Sequence, residues 1–180
     1  MMAKKILVLS GSLRAASRNT ALARYALRNA PEGLQLEMAD LREFPFYNAD
    51  HPAPPPPVQR FFEQLRQADG LLLACPEYNY SIAPLLKNAL DWASREKDNH
   101  LLAGKTVALM GAGGGMGTSR AQYHLRQVAV ALDLRVLNKP EVFCSAFTAG
   151  IFDEQNELVD ERIQGLVKQL LEALKAALPG

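Results

Sequence analysis

Three short, largely apolar runs constrain the fold of this chain more than any other feature. They are Ile6–Ser10, Gly70–Cys75 and Lys105–Met110, and each is followed by a loop and then by a segment with helical spacing of apolar residues. A continuous apolar strand is buried on both faces, which in a parallel sheet requires helices above and below it. The alternation therefore predicts an α/β sandwich with a parallel sheet and right-handed crossovers.

The remaining elements complete a five-stranded sheet. Residues 34–41 alternate apolar and polar side chains, as an edge strand does, and 134–137 form the last strand, which Pro140 and Val142 extend. The spacing of apolar residues predicts five helices, at 20–29, 58–67, 82–94, 118–133 and 159–178. We therefore expect a single flavodoxin-like domain over residues 1–180, with strand order 2-1-3-4-5.

The stretch Phe44–Pro57 combines clustered aromatic residues with dense prolines. Because proline fixes φ and lacks an N–H, this density predicts a stiff extended connection and excludes a helix. Two interpretations stay open: a surface linker, or a wall of a substrate pocket or an oligomer contact.

Composition excludes several classes of partner. The chain of 180 residues has 48% hydrophobic and 22% charged residues and a formal net charge of +1, which favours neither nucleic acid nor an acidic membrane surface. No apolar run is long enough to span a bilayer, and residues 1–5 lead directly into a strand, so we expect no signal peptide. Cys75 and Cys144 lack CxxC or metal spacing, which favours a reducing, cytoplasmic location.

The loop after the first strand has the features of an anion site. Residues 10–19 lie between a strand and a helix, so the free N–H groups and the dipole of the helix start face the loop. Ser12, Ser17 and Asn19 add neutral donors, and Arg14 adds a charged fork suited to phosphate oxygens. An ordinary helix cap with scattered serines is the alternative.

Two more loops should border the same crevice. In the predicted strand order, the loops after the first and third strands meet at the switch point, so residues 76–81 lie beside the anion site. The glycine-rich stretch 112–117 borders it as well. Tyr78 and Tyr80 can contact a flat ring, and the backbone of 77–79 can bond to its polar edge, which together predict an aromatic mononucleotide site. Alternatively, the tyrosines plug the start of the next helix.

Other catalytic patterns fit less well. The glycine run is no dinucleotide fingerprint, because Met116 and Thr118 stand where GxGxxG needs glycine and the run follows a later strand. Ser12 and Ser17 lack the GxSxG elbow of a nucleophile, and Cys75 ends a buried strand as an inert core thiol. We expect surface or interface positions for His51, His100, His124, Arg120, Tyr123 and Glu141.

Three segments of the chain resemble the motifs of one family. Gly11-Ser12-Leu13-Arg14, with Ser17 and Asn19, is similar to the phosphate motif of the NADPH-dependent FMN reductase family. Residues 76–92 are similar to the second signature of that family, and residues 120–127 resemble its third. The resemblance covers nearly the whole chain.

The resemblance implies a flavodoxin-like fold and tightly bound FMN. It also implies NADPH or NADH as hydride donor and reduction of quinones, azo dyes, chromate or free flavin, by a homodimer or homotetramer. By the same resemblance, the phosphate would be held by Ser12, Arg14, Ser17 and Asn19. The flavin would be lined by Pro76, Glu77, Tyr78 and Asn79, and more loosely by Ala112 and Gly113. The chain departs from the family pattern at two places: Ala112 stands where many relatives have a polar residue, and Ala83-Pro84 stands where Pro-Gly is common.

The leading hypothesis is thus an FMN-dependent NAD(P)H oxidoreductase that passes hydride from nicotinamide to flavin and on to an acceptor. The alternative is a non-catalytic flavodoxin-type electron carrier or a flavin-binding regulatory module. Such carriers tend to be strongly acidic, whereas this chain is nearly neutral. The sequence favours neither NADH nor NADPH and neither dimer nor tetramer.

Overall fold

A computed structural model describes residues 3–179, so Met1, Met2 and Gly180 of the predicted domain lie outside the described residues. A central sheet contains six strands, and two further strands pair as a short hairpin beside it. The sheet strands are β1 (Lys4–Ser10), β2 (Leu34–Met38), β3 (Gly70–Ala74), β6 (Thr106–Gly113), β7 (Arg135–Val136) and β8 (Val142–Ser145). The hairpin strands are β4 (Glu77–Tyr78) and β5 (Ser81–Ile82).

The strand order is β2-β1-β3-β6-β7, with every pairing parallel, which confirms the predicted flavodoxin-like fold and the edge position of β2. Two short strands, β7 and β8, share the sheet position on the outer side of β6. Arg135 of β7 pairs with Thr106 at the start of β6, whereas Val142 of β8 pairs with Met110 farther along. Pro140 lies between the two, where its missing N–H interrupts the ladder.

Helices cover both faces of this sheet. They are α1 (Arg18–Arg28), α2 (Pro56–Gln67), α3 (Pro84–Ser94), α4 (Ser119–Ala131) and α5 (Glu161–Ala177). Within residues 3–179, no helix is long and apolar enough to cross a membrane. Each of these five helices lies within a few residues of its predicted range.

Two apolar cores lie on opposite faces of the sheet. Alternate strand residues point to opposite faces, so Leu7 and Leu9 pack with α2, α3 and α4, whereas Ile6 and Val8 pack with α1 and α5. This division is the reason that the central strands are apolar without alternation.

The structure corrects one prediction about the stretch Phe44–Pro57. Helix α2 begins at Pro56, because proline fits the first helical turn, where its missing N–H has no helical acceptor to lose. The rest of the stretch runs over α3. The indole N–H of Trp92 and the side-chain amide of Asn88 both donate to the carbonyl of Pro45, each at 2.9 Å.

Candidate functional site

Three loops meet at the carboxyl ends of β1, β3 and β6. We call residues 11–17 the first loop, residues 77–82 the hairpin, and residues 113–118 the glycine loop. The N–H of Gly11 donates to the carbonyl of Ala74 at 3.0 Å. A Cβ at Gly11 would lie 2.7 Å from Cδ of Pro76, so only glycine lets the first loop approach this closely. The loops after β1 and β3 therefore lie side by side, as predicted for the switch point.

The first loop presents unpaired donors. Ser17 caps α1, because its Oγ accepts from the N–H of Thr20 at 3.1 Å, and its own N–H donates to the carbonyl of Arg14 at 3.1 Å. Within residues 3–179, the backbone N–H groups of Arg18 and Asn19 have no hydrogen-bond acceptor. The Arg14 side chain is exposed and makes no hydrogen bond or ion pair with the described part of the chain. These groups form the kind of cradle that binds a phosphate.

The side chain of Asn19 lies elsewhere than the sequence suggested. Its Nδ2 donates to the carbonyl of Ala112 at 2.7 Å, and its Oδ1 accepts from the Ala112 N–H at 2.9 Å. The β3 ladder ends at Met110, so this amide takes the place of a neighbouring strand beside the end of β6. Asn19 therefore joins α1 to β6, and its backbone N–H is left without a hydrogen-bond acceptor among residues 3–179.

The same contact leaves Ala112 without an unpaired polar group for a ligand in the crevice. Both of its backbone polar groups already have Asn19 as a partner, and its side chain is a buried methyl group. Gly113 is half-buried beside it, and a Cβ there would lie 2.6 Å from Cγ2 of Thr118. The carbonyl of Gly113 accepts from the N–H of Ala146, so neither predicted residue has a backbone carbonyl without a partner in the chain.

The hairpin turns tightly through two residues in an unusual conformation. Asn79 and Tyr80 have φ values of 49° and 67°, the pattern of a primed two-residue turn. Such a φ is rare for an aromatic residue and stores strain. Tyr78 and Tyr80 are 48% and 67% exposed, so neither plugs the start of α3, and that alternative is wrong.

The carboxylate of Glu77 is committed to α4. It accepts from Nε of Arg120 at 2.7 Å and from the N–H of Ala121 at 3.3 Å, with its side chain only 7% exposed. Ala121 lies in the first turn of α4, where the Thr118 side chain provides no cap and no acidic residue is present. Glu77 therefore caps α4 and neutralises its dipole, so it can meet a ring in the crevice only through its backbone.

Arg120 lies partly exposed, as expected for a surface residue, but it also has a supporting role in the hairpin that the sequence did not predict. Besides its ion pair with Glu77, its guanidinium lies 3.7 Å from the ring centroid of Tyr80. It thus supports the strained turn of the hairpin through a cation–π contact. The signal that could have found it is the uncapped start of α4, which requires an acid from a neighbouring loop.

We expect Arg120→Ala to lower the free energy of unfolding by about 2 kcal/mol, less than the roughly 3–5 kcal/mol of a fully buried pair because Arg120 is partly exposed. The variant would leave the buried carboxylate of Glu77 with a single backbone donor. Urea denaturation measures the effect. Arg42→Ala is the matched control, because Arg42 also binds a carboxylate, that of Asp40, but in an exposed pair. Equal shifts for the two variants would contradict this role.

The two thiols of the chain are buried, Cys75 in one apolar core and Cys144 in the other. Burial raises the pKa of the Cys75 thiol to about 12 and that of Cys144 to about 11. Both therefore stay protonated at neutral pH, which agrees with the prediction of an inert core thiol at Cys75.

Comparison with known proteins shows the family of this chain. The family model for NADPH-dependent FMN reductase matches residues 4–149. The chain is 49% identical to an NAD(P)H-dependent FMN reductase of Pseudomonas aeruginosa over 174 residues, covering 95% of this chain and 93% of the relative. It is 43% identical to an NADPH:quinone oxidoreductase of Arabidopsis thaliana over 179 residues, covering 96% and 90%.

A solved structure shows the same architecture. The flavoenzyme NAD(P)H:(acceptor) oxidoreductase of Paracoccus denitrificans superposes with a TM-score of 0.85 at 27% identity, covering 98% of this chain and all of that one. The family match spans all three loops of the crevice. The chain therefore belongs to the NADPH-dependent FMN reductase family.

Proposed function

We propose that this chain is an FMN-dependent NAD(P)H oxidoreductase that reduces quinones or similar small acceptors. The observation that carries the proposal is a phosphate cradle and an aromatic hairpin within one crevice. The close approach of Gly11 to Pro76 joins the two. One relative is named for FMN reduction and another for quinone reduction, which supports both the flavin and the acceptor of the proposal.

The residues of the first loop fit the phosphate of FMN. The backbone N–H groups of Arg18 and Asn19 supply fixed donors, and the dipole of α1 favours an anion there. Arg14 adds a flexible cation from the rim, and Ser12 adds a hydroxyl. Ser17 holds the helix start in shape through its cap.

The hairpin and the glycine loop fit the ring system. Tyr78 offers exposed apolar contact, whereas Pro76 is buried against Gly11 at the base of the hairpin. The backbone of 77–79 offers groups for the polar edge of the ring. On the opposite side of the ring, Gly113 has no side chain and so lets the backbone approach closely. When bound, FMN supplies the hydride and electron transfer chemistry, and the chain positions it. No side chain of the crevice is required as an acid or base in this scheme.

The acceptor is a small molecule that reaches an open crevice. Tyr78 and Tyr80 are exposed at its rim, so a flat acceptor such as a quinone can stack beside them without displacing a folded segment. Azo dyes, chromate and free flavin belong to the same range of acceptors. NADPH or NADH would donate the hydride at the same open face.

We further propose a homodimer or a homotetramer located in the cytoplasm. Helix α4 exposes two apolar side chains that a second copy could cover, Tyr123 and Val130. Two buried, unpaired cysteines suit a reducing compartment.

An absorption spectrum of the purified protein, followed under anaerobic conditions by NADPH and then by a quinone, tests the function. We expect a flavin spectrum that bleaches with NADPH and returns with the quinone. A chain that takes up no added FMN would overturn the proposal. A bound flavin that stays oxidised with both NADPH and NADH would instead assign the chain to the electron carriers or binding modules.

A further inference from the structure

A folded turn beyond the family match contacts the start of α1. We call residues 151–158 the C-terminal turn, and it follows the last residue of the matched range. It is closed by a bridge between Phe152 and Leu158. The N–H of Glu157 donates to Oδ1 of Asp153 at 2.8 Å, and the N–H of Asp153 donates to the carbonyl of Glu157 at 3.0 Å. The turn therefore has a defined shape of its own.

Two arginines on α1 hold the C-terminal turn in place. Nη2 of Arg24 donates to the carbonyl of Asn156 at 3.2 Å, and its guanidinium lies 3.3 Å from the Glu157 carboxylate. Arg28, one turn later, binds the same carboxylate. These contacts place the side chain of Asn156 against the first residues of α1.

Asn156 reaches the cap of the phosphate cradle. Its Nδ2 donates to the carbonyl of Ser17 at 3.1 Å, and this carbonyl also accepts from the N–H of Ala21 at 2.9 Å. The peptide group is planar, so a fixed Ser17 carbonyl also fixes the N–H of Arg18, which points the opposite way. That N–H is one of the unpaired donors of the first loop.

We infer that Asn156 is a positioning residue for the phosphate of FMN, an inference that rests on the proposed function. It orients the Ser17–Arg18 peptide so that the first N–H of α1 faces the phosphate. Asn suits this role, because Asn156 has a φ of 59° and asparagine tolerates that conformation better than most residues. The residue acts through Ser17 and makes no contact with the ligand itself.

The variant Asn156→Gly tests this role cleanly. Glycine keeps the positive φ and removes only the amide, so the backbone of the turn need not change. Asn99→Gly is a matched control, because Asn99 has a φ of 53° and its Nδ2 donates to the carbonyl of Leu132 at 2.8 Å. Leu132 ends α4 near the amino ends of the strands, far from the crevice.

The readout is the dissociation constant of the full chain, stripped of flavin, for FMN and for riboflavin. Riboflavin has the same ring but no phosphate. We expect Asn156→Gly to weaken FMN binding about five- to tenfold, the size of one hydrogen bond, and to leave riboflavin binding unchanged. Asn99→Gly should change neither constant, although both variants lower stability.

Three outcomes would overturn the inference. Unchanged FMN affinity in Asn156→Gly, or equal losses for FMN and riboflavin, would show that Asn156 does not position the phosphate. A wild-type chain that binds neither flavin would overturn the proposed function as well, which separates the two failures. Asn156→Asp provides a second variant of the same shape. It replaces the donor with an acceptor, so its FMN affinity should fall at least as far as that of the glycine variant.

Discussion

Gly111→Ala is expected to lower the free energy of unfolding by about 3 kcal/mol, through overpacking of the interior. A Cβ at this position would lie 2.6 Å from the backbone carbonyl oxygen of Cys75 and 2.0 Å from Oγ1 of Thr118. The first atom belongs to the main chain between β3 and the hairpin, and the second is held by Nε2 of Gln122 at 3.1 Å. Neither can retreat without moving a loop of the crevice.

Urea denaturation of the flavin-free chain measures this loss. Gly115→Ala is the matched control, because Gly115 is exposed in the same glycine loop and a Cβ there would meet nothing within 4 Å. Its stability should stay within about 0.5 kcal/mol of the wild type. If both variants unfolded at the same urea concentration, close packing would not be what excludes a side chain at position 111.

Arg14→Ala is expected to weaken FMN binding by about 10- to 100-fold, which corresponds to roughly 1.5–3 kcal/mol for a charge-assisted bond. The Arg14 side chain has no partner among residues 3–179, so the folded chain loses no contact when it is removed. Its backbone carbonyl still accepts from the N–H of Ser17, which keeps the loop in shape. Stability of the flavin-free chain should therefore be unchanged.

Titration with FMN and with riboflavin separates a phosphate contact from a general effect of charge. Only the FMN constant should change in Arg14→Ala, and the loss should shrink at high salt because the contact is ionic. Arg135→Ala removes the same charge from an exposed position on β7, roughly 20 Å along β6 from the crevice. An equal loss of FMN affinity in the control would refute a specific role for Arg14.

Apolar patterning made most of the fold predictable. The runs 6–10, 70–75 and 105–110 are buried strands because each must satisfy two cores, and the strand order follows from their alternation with helices. The start of α2 at Pro56 is not predictable from proline density alone, because proline disfavours a helix interior but fits the first turn.

Local sequence also predicted the candidate site, since a strand followed by small polar residues and a helix start makes an anion cradle. It could not assign every side chain. Asn19 looks like a phosphate donor in the sequence, yet its amide binds Ala112, 93 residues away along the chain. Glu77 and Arg120 likewise form a pair whose members are 43 residues apart.

The sequence by itself thus determined the α/β order and the adjacency of the first loop and the hairpin at the switch point, and it predicted an anion site in the first loop, because each depends on neighbouring residues or on strand periodicity. Only the tertiary structure decided which polar side chains face the crevice and which support it. Asn19 and Glu77 satisfy backbone groups that the end of a strand and the start of a helix leave unpaired, and Asn156 adds a second donor to the Ser17 carbonyl. Such partners come from distant segments, and a buried polar group selects whichever donor or acceptor the fold places within reach.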